Sequence, residues 1–341
     1  MNHRRFHLLE KVQVQLAAAG AALVVYFAIW PALRPTDPWS PLTFIPTGSY
    51  AGVFFFAGII WILSAICAVV TVSARPEGAF VAALIGAVGA SARSAPIRSL
   101  LMLREDSLPA LYLALILEVL VLFVVLLMAA VVVDLVRRTV ASIKPGWLWK
   151  PPLAGSPEEE PRRSGAGGHD YAAPELCASM RRELVLHVLC PWFGAKGRGE
   201  TAGRLAKRQA LRQSVCCLGL GLVVAIVLLM LLMQSPDRGQ ILFSLIAAFL
   251  VASTVAHQVF PTPYSIVVWG MPMLVAIGLY ALTAFSIAYE GASWIALPNY
   301  ARALPTDWLT AGCGGALVGY WISERISELR HIERAESQKA Q

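Results

Sequence analysis

The chain has 341 residues, of which 57% are hydrophobic and only 14% are charged, and its net charge is +7. Soluble domains carry about 25% charged residues, so this chain lacks the polar side chains that would cover a globular protein in water. The composition excludes an ordinary soluble protein. It predicts an all-α, polytopic integral membrane protein with no nucleic-acid partner.

The N-terminal half contains four predicted membrane spans, since a spanning helix needs about 20 mainly apolar residues. They lie at 12–33, 50–73, 79–103 and 108–133. The first span follows a basic N-terminus and no small-residue cleavage motif comes after it, which predicts an uncleaved signal anchor. The third span has a short apolar core, and it crosses only if it includes Arg93, Pro96 and Arg98.

Residues 137–213 form the predicted central loop. Its first part, 145–174, is rich in proline, glycine and charge and is predicted to be disordered. Apolar residues at helical spacing then predict an interfacial helix over 175–190. A basic arm that faces anionic lipid headgroups is predicted to follow, and its cations are Lys196, Arg198, Arg204, Lys207, Arg208 and Arg212. The alternative is that these charges only fix the topology.

Four further spans are predicted in the C-terminal half, at 214–233, 240–259, 264–288 and 307–323. The last is short, and Trp308 and Trp321 bracket it as an aromatic belt would. The prediction is therefore eight spans, four in residues 1–136 and four in 214–323, followed by a helical tail over 324–341. Both halves join their second and third spans by a short proline-containing turn, so a duplicated four-helix unit stays open as an interpretation.

The distribution of Lys and Arg predicts the orientation in the membrane, because cytoplasmic loops carry an excess of these residues. With a cytoplasmic N-terminus, 22 of the 28 Lys and Arg residues lie inside and six outside. Both termini and the central loop are therefore predicted to be cytoplasmic, in a bacterial-type inner membrane. Three arginines near the connection of the third and fourth spans depart from this pattern.

Glu118 lies near the middle of the fourth span, where a carboxylate is retained only if it is paired, protonated or in contact with a water-filled cavity. At about 1.5 Å per residue, Arg93 of the third span lies within about 6 Å of the same depth. The sequence thus predicts a Glu118–Arg93 pair beside Pro96, with Arg98 nearer the surface. The pair would form a proton, ion or substrate site, or else a buried ion pair that only fixes packing.

His257 is the only histidine within a predicted span, near the cytoplasmic end of the sixth. Its imidazole could relay protons. The alternative interpretation is a polar residue at the membrane boundary.

No metal or cofactor site is predicted. His169, Cys177, His187 and Cys190 could bind zinc, but their spacing fits no common zinc site. The sequence has no HExxH, GxSxG, P-loop or GxGxxG motif. Small residues recur at every fourth position in two spans and predict close helix packing, within the chain or between protomers; they are Ala82, Gly86, Ala90, Gly315 and Gly319.

Three functions are compatible with these features. The first is a transporter or permease-like component with a polar site at Glu118 and Arg93. The second is a structural or assembly subunit that holds anionic lipid, a membrane-protein partner or a second copy of itself. The third is a membrane-embedded enzyme that acts on lipid, for which the sequence offers few acids and bases.

Overall fold

The computed structural model describes residues 2–143 and 200–340, apart from residues 38, 73, 75, 263, 291 and 292. All regular secondary structure in these ranges is helical, which confirms the all-α part of the predicted fold class. Six segments are long and apolar enough to cross a membrane: Val12–Leu33, Tyr50–Val70, Glu105–Val140, Gln209–Leu232, Arg238–Val259 and Ser265–Tyr289. The chain is therefore a multi-pass membrane protein.

The described ranges contain eight helices of 18 or more residues. They are α1 (Asn2–Leu23), α2 (Tyr50–Val70), α3 (Pro76–Arg93), α4 (Leu108–Ile143), α5 (Glu200–Leu232), α6 (Arg238–Val259), α7 (Met271–Glu290) and α8 (Cys313–Ala340). Shorter α-helical segments are Trp30–Leu33, Arg98–Leu103, Ser265–Trp269 and Pro305–Asp307. Val24–Ile29 and Trp308–Gly312 are π-helical, and they continue α1 and precede α8 respectively.

Two helices extend into the predicted central loop, since α4 runs to Ile143 and α5 begins at Glu200. The predicted interfacial helix, the stretch predicted to be disordered, Lys196 and Arg198 lie outside the described residues. The remaining members of the basic arm lie on α5, where the side chain of Arg212 is exposed. The four candidate zinc ligands also lie outside the described residues.

Helix α3 and the helical stretch that leads into α8 form an inner pair. Residues 79–84 of α3 are all buried, and so are residues 303–317. The two contact each other, because a side chain at Gly314 would lie against Leu84 and Ile85. Neither belongs to the six strongly apolar segments. A helix that contacts protein on all sides does not have to be as apolar as one that faces lipid.

The aromatic-belt interpretation of Trp308 is wrong. Its indole is fully buried within the inner pair of helical segments, where its ring packs edge-on against Phe249 and Tyr280. The pattern was misleading because tryptophan is also one of the largest side chains for filling a core.

The glycines of the predicted small-residue rows mark close helix contacts within the chain. A side chain at Gly86 would meet Ala21 of α1, and one at Gly315 would meet the backbone of Ile246 on α6. Such positions let two helix backbones approach closely without a hydrophobic driving force from water.

Replacing Gly315 with alanine is expected to destabilise the protein by about 1–3 kcal/mol, as overpacking does. The added Cβ would lie 2.5 Å from the carbonyl oxygen of Ile246, which cannot rotate away as a side chain can. The thermal unfolding midpoint in detergent measures the effect. Gly278→Ala is the matched control, because that glycine is exposed with nothing within 4 Å of an added Cβ. Equal midpoints for both variants would contradict the packing assigned to Gly315.

Candidate functional site

Glu118 is buried in the bundle, with 0% of its surface exposed. Its Oε2 accepts hydrogen bonds from the backbone N–H groups of Phe44 at 2.9 Å and Ile45 at 3.0 Å. Its Oε1 is buried and has no hydrogen-bond partner among the described residues. The carboxylate thus binds consecutive amides of a non-helical segment, and one of its oxygens remains as a free acceptor.

That segment belongs to the 34–49 loop, which joins the first two spans and folds back against the bundle. The N–H of Leu42 donates to Ser94 Oγ at 2.8 Å, and Ser99 Oγ donates to the carbonyl of Trp39 at 2.6 Å. Gly48 has φ +71, a left-handed conformation that suits glycine, just before α2 begins. Non-helical backbone at membrane depth requires such burial against protein.

The predicted Glu118–Arg93 pair is wrong. Arg93 is exposed, and its Nη1 donates to the carbonyl oxygen of Tyr26 at 2.9 Å. Its guanidinium also lies over the rings of Tyr26 and Trp30, 4.9 and 5.7 Å from their centroids. The prediction assumed a straight third span. Instead α3 ends at Arg93, and residues 94–97, which include Pro96, break the helix.

Arg98 lies on the short helix that follows this break, away from Glu118. Its side chain is exposed and its guanidinium lies over Trp294, 5.3 Å from the ring centroid. Arg104, the third arginine of this region, donates to the carbonyl of Pro46 at 3.4 Å. Arg93, Arg98 and Arg104 depart from the predicted charge pattern, and each contacts a backbone carbonyl or an aromatic ring instead of Glu118.

An ion pair that the sequence did not predict lies at the inner pair of helical segments. Arg238 Nη1 and Nη2 bind Asp307 Oδ2 and Oδ1, each at 2.6 Å. The side chain of Asp307 is 0% exposed and that of Arg238 is 13% exposed. Arg238 Nη2 also donates to the carbonyl of Ser91, and Asp307 Oδ2 accepts from the N–H of Leu304. The pair therefore joins α6, the end of α3 and the start of the last helical stretch.

The last turns of α3 lie between the two π-helical segments. On one side Gly89 packs against the backbone of Ala22 and Tyr26, and on the other Ser91 Oγ lies 3.2 Å from Thr310 Oγ1. π-Helical turns within helices are frequent at functional sites. Both π-helical segments flank the broken end of α3.

Two buried tyrosines join α4 and α7 to the stretch that precedes Asp307. Tyr112 Oη donates to the carbonyl of Ala301 at 3.0 Å, and Tyr280 Oη donates to that of Ala303 at 2.6 Å. Their ring centroids are 5.8 Å apart. The ring of Tyr280 also packs edge-on against Trp308, the residue that follows Asp307.

His257 joins α6 to α8 near the other end of the bundle. Its Nδ1 lies 2.8 Å from Ser323 Oγ and its Nε2 lies 3.2 Å from the carbonyl oxygen of Thr262. The neighbouring Gln258 donates to the carbonyl oxygen of Ser323 as well. Both ring nitrogens thus have partners within the protein, which supports the structural interpretation of this histidine.

A cavity of about 350 Å³ lies beside the 34–49 loop, between the end of the first span and the start of α2. Arg34, Asp37, Thr43 and Phe44 are among the residues that line it. Phe44 also donates its N–H to Glu118, so one short segment contacts both the cavity and the buried carboxylate. The hydroxyl of Thr43 is buried without a hydrogen-bond partner among the described residues.

No known family, curated protein or solved structure gives a significant match to this chain. Among the described residues, no group of three or more His, Cys, Asp or Glu side chains could hold a metal ion. The function therefore has to be argued from the geometry around Glu118.

Proposed function

We propose that the protein is a transport-type membrane component in which the 34–49 loop separates the cavity from Glu118. The observation that carries this proposal is the contact of one segment, Leu42–Ile45, with both. Carboxylates within a membrane bundle are costly and mark ion or substrate pathways by default. The free Oε1 of Glu118 gives such a pathway an acceptor for a proton or a cationic group.

The proposed arrangement has eight spans, four in each half. The inner pair, α3 and the helical stretch that leads into α8, supplies the third and the eighth of these spans. Both termini and the central loop lie in the cytoplasm of a bacterial-type cell, and the basic arm lies on anionic lipid of that face. The 34–49 loop and its cavity then face outward. A molecule would reach Glu118 from the outside when the loop moves.

The loop is held in a way that permits release. Glu118 binds it through two hydrogen bonds to a charged acceptor, each roughly twice as strong as a neutral one. A proton or cation on Oε1 would neutralise the carboxylate and weaken both bonds at once. Loading of the site and opening of the loop are coupled in this scheme.

A structural or assembly subunit is the second candidate function, because other polar side chains tie helix ends together. Arg137 is the clearest example, with its guanidinium donating to the carbonyl oxygens of Thr71, Val72 and Ala74 at the end of α2. In a structural subunit, the contact between Glu118 and the 34–49 loop would be permanent.

Access of water to the Glu118 face separates the two candidates. In a chain whose six native cysteines are replaced, single cysteines at Thr43, Leu115 and Leu120 are treated with a charged, impermeant thiol reagent. Leu115 is fully buried one turn from Glu118, so that the variant keeps the carboxylate, whereas Leu120 is exposed toward lipid. The transport proposal predicts fast labelling at position 43 and labelling at 115 at least tenfold faster than at 120. Labelling at 43 with none at 115 would favour the structural subunit.

A further inference from the structure

The cavity lies at the ends of two spans, where lipid headgroups are expected to meet the protein. It is lined by Leu33, the last residue of the first span, and by Phe55 in the first turns of α2. Trp39 and Tyr50 beside it are 78% and 66% exposed. Exposed tryptophan and tyrosine at the end of a span are typical of the membrane–water interface.

The lining of the cavity carries one charge of each sign. Arg34 and Asp37 are both exposed and form no ion pair with any described residue. Among the described residues, Asp37 accepts a side-chain hydrogen bond only from the N–H of Trp39, which binds Oδ1 at 3.1 Å, so the other carboxylate oxygen can accept a ligand donor. Asp37 would repel a simple anion and Arg34 would repel a simple cation, so the pair fits a molecule that bears both charges.

We infer that the cavity binds a zwitterionic phosphate–ammonium headgroup of the phosphatidylethanolamine class. The phosphate is placed on Arg34, whose planar guanidinium suits phosphate oxygens, and the primary ammonium on Asp37. Thr43 lines the cavity and is 4% exposed, and its buried hydroxyl, which has no partner among the described residues, supplies a further hydrogen bond. The acyl chains extend along the exposed rings of Phe54 and Phe55 on α2.

The size of the cavity and the position of Glu118 agree with this ligand. About 350 Å³ is near the lower limit of ligand pockets, which suits a small headgroup with its chains left outside. Glu118 gives the ammonium a second carboxylate behind the Leu42–Ile45 segment. The inference names a substrate class and in that respect rests on the proposed function. Binding of the headgroup at the cavity can nevertheless be measured without any transport assay.

Isothermal titration of the full chain in detergent with a short-chain phosphatidylethanolamine tests the inference. The matching phosphatidylglycerol, phosphatidylcholine and free phosphoethanolamine are the comparison ligands. We expect saturable binding of the phosphatidylethanolamine and at least tenfold weaker binding of the other three. Phosphatidylglycerol lacks the ammonium, the trimethylammonium of phosphatidylcholine has no N–H to donate, and phosphoethanolamine lacks the chains.

Variants of the lining residues should weaken this binding. Arg34→Gln and Asp37→Asn are each expected to raise Kd at least tenfold, and Thr43→Val about threefold. Asp106→Asn, which is exposed and does not line the cavity, is the control and should bind as the native chain does. Equal affinity for phosphatidylglycerol, or native affinity in the Arg34 and Asp37 variants, would overturn the inference. Equal affinity for free phosphoethanolamine would overturn the assignment to a lipid.

The two proposals can fail separately. Native-like binding that Arg34→Gln abolishes, together with an unlabelled cysteine at position 115, would support the headgroup site and reject transport. Labelling at 115 without any zwitterion binding would support a pathway and reject this ligand.

Discussion

Glu118→Ala is expected to lower the free energy of unfolding by about 2–6 kcal/mol, because it leaves the N–H groups of Phe44 and Ile45 buried without an acceptor. Each unsatisfied buried donor costs about 1–3 kcal/mol. The 34–49 loop should also detach more readily in the same variant, since both bonds tie it to α4. The unfolding midpoint in detergent and the rate of proteolysis within the loop report the two effects.

Glu118→Gln is the matched variant that keeps an acceptor oxygen but removes the charge. It is expected to lose about 1 kcal/mol, since bonds to a neutral oxygen are weaker but both amides stay paired. Leu120→Ala, at an exposed position of the same helix, controls for changes in the lipid-facing surface. A Gln variant as unstable as the Ala variant would mean that the charge, and not hydrogen bonding to the loop, is what the protein requires.

The sequence predicts the outer helices well because each carries its own signal. Composition identifies an apolar segment that faces lipid, and five of the six strongly apolar segments begin and end within a few residues of the predicted spans, whereas the segment containing Glu118 extends beyond its predicted end. Leu117 and Leu120 of α4 are exposed whereas Glu118 between them is buried, as expected for a helix with one face toward lipid. The position of Glu118 within a long apolar helix was predictable for the same reason.

The partner of Glu118 was not predictable, because it is a backbone. The stretch from Arg34 to Ser49 contains four prolines and looks like an exposed turn, and no side chain in it marks Phe44 and Ile45 as donors to a carboxylate. A charged side chain in the middle of a span predicts an oppositely charged partner, and Arg93 was the nearest cationic residue by position along the predicted spans. The helix break that redirects Arg93 toward Tyr26 was visible only as Pro96.

The contacts of the polar site share one property: they join parts of the chain that are distant in sequence. Glu118 holds the 34–49 loop, Ser91 and Arg238 join α3 to α6, and Tyr112 holds the connection that precedes the last helical stretch. Such contacts fix how helices are arranged, which local apolar patterns do not encode. In the proposed transport cycle, the contact with Glu118 is the one that opens.

Arg238→Gln is expected to destabilise the protein by about 3–5 kcal/mol, because it leaves the fully buried carboxylate of Asp307 without its counter-charge. Asp307→Asn should cost less, since an amide oxygen can still accept the N–H of Leu304 and the half-released Arg238 can reach water. Arg98→Gln, which removes an exposed guanidinium from the ring of Trp294, is the control and should cost no more than about 1 kcal/mol.

The double variant Arg238→Gln/Asp307→Asn decides whether the two residues act as a pair. With both charges removed, neither position leaves an uncompensated buried charge. The loss in free energy of unfolding should therefore be smaller than the sum of the two single losses by about 0.5–3 kcal/mol. Denaturation of all four proteins in one detergent gives this coupling free energy. A coupling near zero would mean that Arg238 acts mainly through the carbonyl of Ser91 and Asp307 mainly through the N–H of Leu304. A coupling in the expected range would mean that the ion pair itself holds α6 to the start of the last helical stretch.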